Sequence, residues 1–134
     1  MTPARGQALL ELALCAPLVI LLAVGTVAAV QVASARAGLE SATQAAAEAA
    51  ARAPDAATAV ATAHDRFQRL IADYPVRSAT LAVSVGDFDR SGIVTASSSA
   101  SVDIAWAAFL LLPGHVTLRS QVVLQLEQWR SHSA

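Results

Sequence analysis

From Leu12 to Ala35 no residue carries a charge, and this run constrains the fold more than any other feature of the chain. At about 1.5 Å per helical residue it spans about 36 Å, enough to cross a hydrocarbon core about 30 Å thick. It therefore predicts a transmembrane helix. Pro17, roughly one turn inside the run, removes a backbone hydrogen bond and predicts a kink over Ala13 to Pro17, a defect that membrane helices accommodate. Gly25, Ala29, Ala33 and Ala37 recur every four residues and form a smooth strip on which another helix can approach closely. The composition agrees, with 55% hydrophobic and 14% charged residues, against about 25% charged in an ordinary soluble domain.

A cleaved secretory signal competes with this reading, because Met1 to Arg5 resembles an n-region and Ala33-Ser34-Ala35 a small-x-small cleavage site. The run is longer than a typical h-region, and Glu11 intrudes at its start. Arg5 before the run and Arg36 and Arg52 after it leave the charge rule for topology undecided. The formal net charge of −1 and the lack of any basic cluster argue against a nucleic-acid partner. Cys15 is the only cysteine, so no internal disulfide forms. With Leu14 before it, it makes a poor lipobox and reads as a small apolar packing residue.

Beyond the run, Ala33 to Ala53 is alanine-dominated and free of proline, which extends the helix over 36–53. Arg36, Glu40, Gln44, Glu48 and Arg52 stand four apart as a polar stripe, with Glu48 and Arg52 in pairing range. Pro54 breaks the helix and Asp55 suits the N-cap of a second one. There Val60, Phe67, Leu70, Ile71 and Tyr74 define an apolar side, and Asp65, Arg66, Gln68, Arg69 and Asp73 occupy the others. His64 falls on the apolar side as a packing histidine. Neither His115 nor His132 has ligand spacing to it, so no metal site is expected.

After Pro75 the period changes to two. Leu81, Val83 and Val85 share one face of a first strand. Val94, Ala96, Ser98, Ala100, Val102, Ile104 and Trp106 share one face of a second, and Val116, Leu118, Val122, Leu124 and Leu126 one face of a third. The connecting Gly86–Gly92 places Asp87, Asp89 and Ser91 at calcium-loop spacing, but Ser98 stands where a bidentate glutamate belongs, so a polar hairpin turn is expected. Phe109-Leu110-Leu111-Leu112, before Pro113-Gly114, either cap the core or mark a subunit contact, with the core favoured. The expected fold is α+β: a long N-terminal transmembrane helix, a second amphipathic helix, then a small three-stranded antiparallel sheet. No nucleophile with its base, no paired carboxylates in a cleft and no phosphate-cradling glycine loop is legible, so neither an enzyme nor a cofactor is expected.

Glu11 needs a reason. An ionisable group at the centre of a membrane costs roughly 2.5 to 3.5 kcal/mol on insertion scales, and less at the edge. Cutting the chain after Gly6 would leave a new amine on Gln7 and make Glu11 the fifth residue. Gly6-Gln7-Ala8-Leu9-Leu10-Glu11 followed by a long apolar helix resembles the N-terminus of a type IV prepilin. The fuller stretch Arg5 to Leu14, with Pro17 within a leucine/valine run, is more particularly similar to TadE-like proteins, minor pilin or pseudopilin components of tight-adherence (Flp-type) pilus systems. The resemblance covers roughly residues 5 to 40. Many members carry Phe where this chain has Leu12, and ordinary type IV pilins begin with Phe where it has Gln7.

The resemblance implies a leader at 1–6 removed by a prepilin peptidase on the cytoplasmic side, with Gly6 and Gln7 as the processing residues. It implies a membrane helix over 7–35 and a small pilin-like extracytoplasmic domain over 54–134, residing in the membrane or in a pilus. Glu11 becomes the assembly residue, and other pilin or TadE-like subunits the partners. Two unit charges about 4 Å apart at an effective dielectric near 20 attract by about 4 kcal/mol, enough to offset a membrane-edge carboxylate. Gln7 lies four residues before Glu11 on the same helix face, so the sequence does not choose between the chain's own amine and a neighbour's. The rival reading is a single-pass anchored or secreted module that binds a cell-envelope partner, with Glu11 incidental.

Overall fold

A computed structural model of the chain describes residues 3–86, 92–104, 107, 111 and 113–126. In it α1 (Pro3–Arg52) and α2 (Ala56–Ile71) precede β1 (Arg77–Val85), β2 (Ile93–Asp103) and β3 (His115–Gln125), so the α+β order expected from the sequence stands. The chain divides into two compact units, residues 1–32 and 33–134.

The second unit begins with the alanine-rich end of α1. Ala35, Leu39, Ala42, Thr43, Ala46 and Ala50 are buried, while Arg36, Glu40, Gln44, Glu48 and Arg52 are exposed. The polar stripe pairs internally: Arg36 Nε donates to Glu40 at 3.0 Å, and Gln44 donates its side-chain N–H to Glu48 at 3.0 Å. The expected Glu48–Arg52 pair is not formed among the described residues, because Glu48 is engaged from the preceding turn instead. At this exposure such pairs contribute little.

Asp55 caps α2 as its sequence position suggests. Its backbone is extended (φ −146°, ψ 165°), and its carboxylate accepts 2.8 Å hydrogen bonds from the backbone N–H and the hydroxyl of Thr58. The Thr58 backbone bond, with the hydroxyl second, holds the carboxyl below its ordinary range. A lowered folded value stabilises the helix fully above the unfolded carboxyl range, and that contribution is lost as pH falls through the lowered value. Asp55→Ala is therefore expected to lower the melting temperature at neutral pH, with the gap to the parent closing in acid, as thermal circular dichroism of the full chain in detergent can read. Behind this cap Ala59, Ala63, Phe67 and Ile71 are buried. Val60, His64, Leu70 and Tyr74 are half-buried beside them.

The sheet is antiparallel throughout, in the order β1-β2-β3. Central β2 buries Val94, Ala96, Ser98, Ala100 and Val102, flanked by half-buried Leu81, Val83 and Val85 of β1 and Val116, Leu118, Val122 and Leu124 of β3. The period-two reading holds over the strands themselves, while Ile104 falls just past the end of β2 and Leu126 just past the end of β3. A bulge between Arg77 and Thr80 puts Ser78 at φ 50°, and Arg77 and Asp103 pair at 3.0 Å across the strands. One core cluster joins Leu39, Ala42, Ala46 and Ala50 of α1 with Phe67 and Ile71 of α2 and Val94 and Ala100 of β2.

Two contacts within this unit were not legible beforehand. Buried Thr43 donates its hydroxyl to the Leu39 carbonyl at 2.6 Å, so its bond with Ser98 must use the Ser98 proton. Both hydroxyls are satisfied inside the apolar core, and a one-residue slip of β2 would turn Ser98 out and strand Thr43. Gly38 of α1 lies under the Tyr74 ring, which a Cβ at Gly38 would overlap. Propensity alone would make Gly38→Ala stabilising by about 1 kcal/mol, but the overlap reverses the sign. We expect Gly38→Ala to lower the melting temperature, and addition of Tyr74→Ala to recover part of the loss; simple addition of the two losses would contradict the contact.

Between β2 and β3, the Ile104 N–H donates to the Gly114 carbonyl at 2.8 Å and Ala107 is buried. Leu111 is 96% exposed and sits at φ 57°, in the left-handed region. The expectation that the Phe109–Leu112 stretch caps the core is therefore corrected at Leu111. The turn's backbone points this side chain away from the protein. Trp106, Phe109, Leu110 and Leu112 lie outside the described residues, as do Asp87, Asp89 and Ser91 of the calcium-like loop and Glu127 and His132.

Candidate functional site

The first unit is helical wherever it is described. Pro3 opens α1, where its missing N–H costs nothing because the first four helical N–H groups have no intrahelical acceptor. Gly6 and Gln7 follow within the first two turns, both exposed, and the space a Gly6 Cβ would occupy is empty. Glu11 is exposed and has no hydrogen bond or ion pair among the described residues. It stands one turn beyond Gln7, on the same helix face.

Pro17 lies inside α1, which runs on past it without interruption. Having no N–H, Pro17 leaves the Ala13 carbonyl without its usual partner. Further along, the Thr26 hydroxyl donates to the Leu22 carbonyl at 2.8 Å, which satisfies a polar group within the apolar stretch. The leucines and valines from Leu9 to Leu22 point outward, and none of the most apolar window of α1 is buried in the chain. A helix of this length and hydropathy held inside a soluble core would be covered; this one exposes its apolar surface and is long enough to cross a membrane. Cys15 is likewise exposed, which corrects its reading as a packed residue. Gly25 and Ala29 are exposed too, with empty space beside Gly25.

The candidate residues Gly6, Gln7, Glu11 and Pro17 are thus strung along one end of α1. His64 and His115 stay apart, and no cluster of three metal-ligating side chains occurs among the described residues. A carboxylate thus stands at the head of an apolar helix long enough to cross a membrane, in a chain that also folds a small helix-and-sheet unit. Residues 6–52 match the family model of the TadE-like proteins, so this segment of the chain is similar to that family from Gly6 to the end of α1. That family is one of pilus-associated structural proteins, not of enzymes. No curated protein and no solved structure matches the chain.

All four candidate residues were named from the sequence, because their relation to one another is a matter of spacing along one helix. It missed Gly38, although a glycine kept within an alanine-rich helix at a cost of about 1 kcal/mol is itself a signal of close approach.

Proposed function

We propose that the chain is a minor pilin or pseudopilin of a Flp/Tad-type assembly, inserted with its N-terminus in the cytoplasm and its 54–134 domain outside, and cut by a prepilin peptidase after Gly6. The new amine on Gln7 and the Glu11 carboxylate then form the ion pair through which the subunit joins other pilin or TadE-like subunits. The observation that supports this best is Glu11: at the mouth of an apolar helix it is exposed and has no cation beside it among the described residues, and a cut after Gly6 would supply one. The family match beginning at residue 6 is consistent with the same boundary. Once residues 1–6 are gone, the carboxylate also lies near the positive end of the shortened helix, which favours it further.

The test is the mass of the mature N-terminus from membranes of cells that contain the peptidase. A chain starting at Gln7 supports the reading, a start at Arg36 indicates secretion by signal peptidase, and an intact Met1 indicates a plain anchor. The same spectrum shows whether Gln7 has cyclised, which would remove the amine. Glu11→Gln preserves shape and hydrogen bonding but not charge. It is expected to be cut at the parental rate and to enter the assembly at least tenfold less well, equivalent to about 1.4 kcal/mol of lost pairing. Equal incorporation of parent and Glu11→Gln would remove the electrostatic role.

A further inference from the structure

The two outer edges of the sheet are built differently. β1 carries a bulge between Arg77 and Thr80, with Ser78 at φ 50°, and Arg77 at its start is tied across to Asp103. A bulge and a charged end keep a sheet edge from pairing with another chain. β3 has no such device: it runs His115–Gln125 in unbroken register with β2, holds no proline and puts no charge on its inward positions. The bonds that bracket the β2–β3 pair, Leu126 N–H to Gly92 and Ile104 N–H to Gly114, each 2.8 Å, fall on even-numbered residues. Antiparallel bonding alternates, so the even residues of β3 bond to β2, and Thr117, Arg119, Gln121 and Val123 present their N–H and C=O groups at the open edge. Beside that edge, Ala37, Glu40, Ser41 and Gln44 of α1 and Ser120 and Val122 of β3 are among the residues lining a groove of about 620 Å³.

We propose that the β3 edge is a docking strand for an extended segment of a different polypeptide, which pairs with β3 backbone to backbone, sends alternate apolar side chains into the groove beside α1 and sets a carboxylate against Arg119. In strand addition of this kind the main-chain bonds give affinity and the alternate side chains give selection. Arg119 decides what segment fits. It is exposed on the outward face, is the only Lys, Arg, Asp or Glu of β3, and forms no ion pair among the described residues. A carboxylate on the same face of an added strand is attracted to it, and a cation there is repelled. A second copy of this chain does not offer that acid: its two edge strands, RSATLAVSV in β1 and HVTLRSQVVLQ in β3, contain neither aspartate nor glutamate. On the groove side Glu40 is already held by Arg36 at 3.0 Å, which leaves small and apolar surface for the partner's inward side chains. The interface lies wholly within the second unit and is independent of the cut after Gly6.

The probe is a short soluble peptide in which valine alternates with threonine and glutamate takes the central threonine position, with lysine at that position in a matched control. Amide hydrogen exchange of the full chain in detergent is read residue by residue. Alone, the chain is expected to exchange Thr117, Arg119, Gln121 and Val123 quickly and Leu118, Ser120 and Val122 slowly. The glutamate peptide at millimolar concentration is expected to slow the first set about tenfold and to leave β1 unchanged. The lysine peptide is expected to bind about fivefold more weakly, as an exposed attraction becomes a repulsion. Arg119→Glu is expected to reverse the preference between the two peptides, which damage to the fold would not do. Slow exchange of the first set in the chain alone, with two copies in each particle by mass, makes a second copy the occupant and overturns the proposal. Protection of β1 in place of β3, no protection by either peptide, or equal binding of the two peptides to the parent chain overturns it as well.

Discussion

Gly6→Ala is expected to leave the precursor at full length, with no detectable product beginning at Gln7, in a host whose prepilin peptidase processes the parent chain to completion. What makes this test sharp is the emptiness around Gly6: a Cβ there meets nothing, and alanine is a better helix former than glycine. The variant therefore folds and inserts at least as well as the parent, and a block in cleavage reports on recognition of the peptide by the peptidase rather than on damage to the substrate. Glycine matters to a peptidase because a bond inside a helix must be drawn out of it before attack, and Gly6 weakens the first turns where that must happen. Immunoblotting for the shift in size, followed by the mass of the N-terminus, reads the outcome. Normal processing of Gly6→Ala would discard the proposed cut.

Phe67→Ala is expected to cost about 3 to 5 kcal/mol, toward the upper part of that range, and to unfold much of the second unit while leaving α1 membrane-associated. Phe67 is wholly buried and is the largest such side chain among the described residues. The helical part of the core cluster it belongs to is rich in short side chains: the α1 members are alanines apart from Leu39, and α2 adds Ala59 and Ala63 beside Ile71. An alanine has no rotamer through which to move into a void, so the space left by the ring stays empty and the cavity cost is not relieved. A small domain has only about 5 to 15 kcal/mol in total. Chemical denaturation of the full chain in detergent should show a midpoint far below the parent's, with Phe67→Leu between them. A loss below about 1 kcal/mol would mean the alanine-lined core can close around the gap.

The three helix-1 glycines describe the limits of sequence reading well. Gly6 and Gly25 both have room for a methyl group and Gly38 does not, yet nothing in their immediate neighbours distinguishes them. Glycine at 38 answers to Tyr74, thirty-six residues away, and only folding brings that ring over the helix. The Thr43–Ser98 bond has the same character. Ser98 was legible as an inward position of β2 from its period, but its partner depended on which turn of α1 lies opposite. Leu111 shows the converse: four apolar residues in a row suggested a buried cap, and a left-handed backbone at one of them turned it outward.

The sequence by itself determined the uncharged run and its length, the acid at its mouth, the Asp55 cap and the change of period from helix to strand. Each is set by neighbours within a few residues, through backbone hydrogen bonding and the alternation of side chains along one element. Only the tertiary structure decided that a serine and a threonine meet inside the core and that one glycine of α1 is closed to substitution. Those facts belong to pairs of residues far apart in the chain, whose meeting is settled by packing between elements and is written in no single segment.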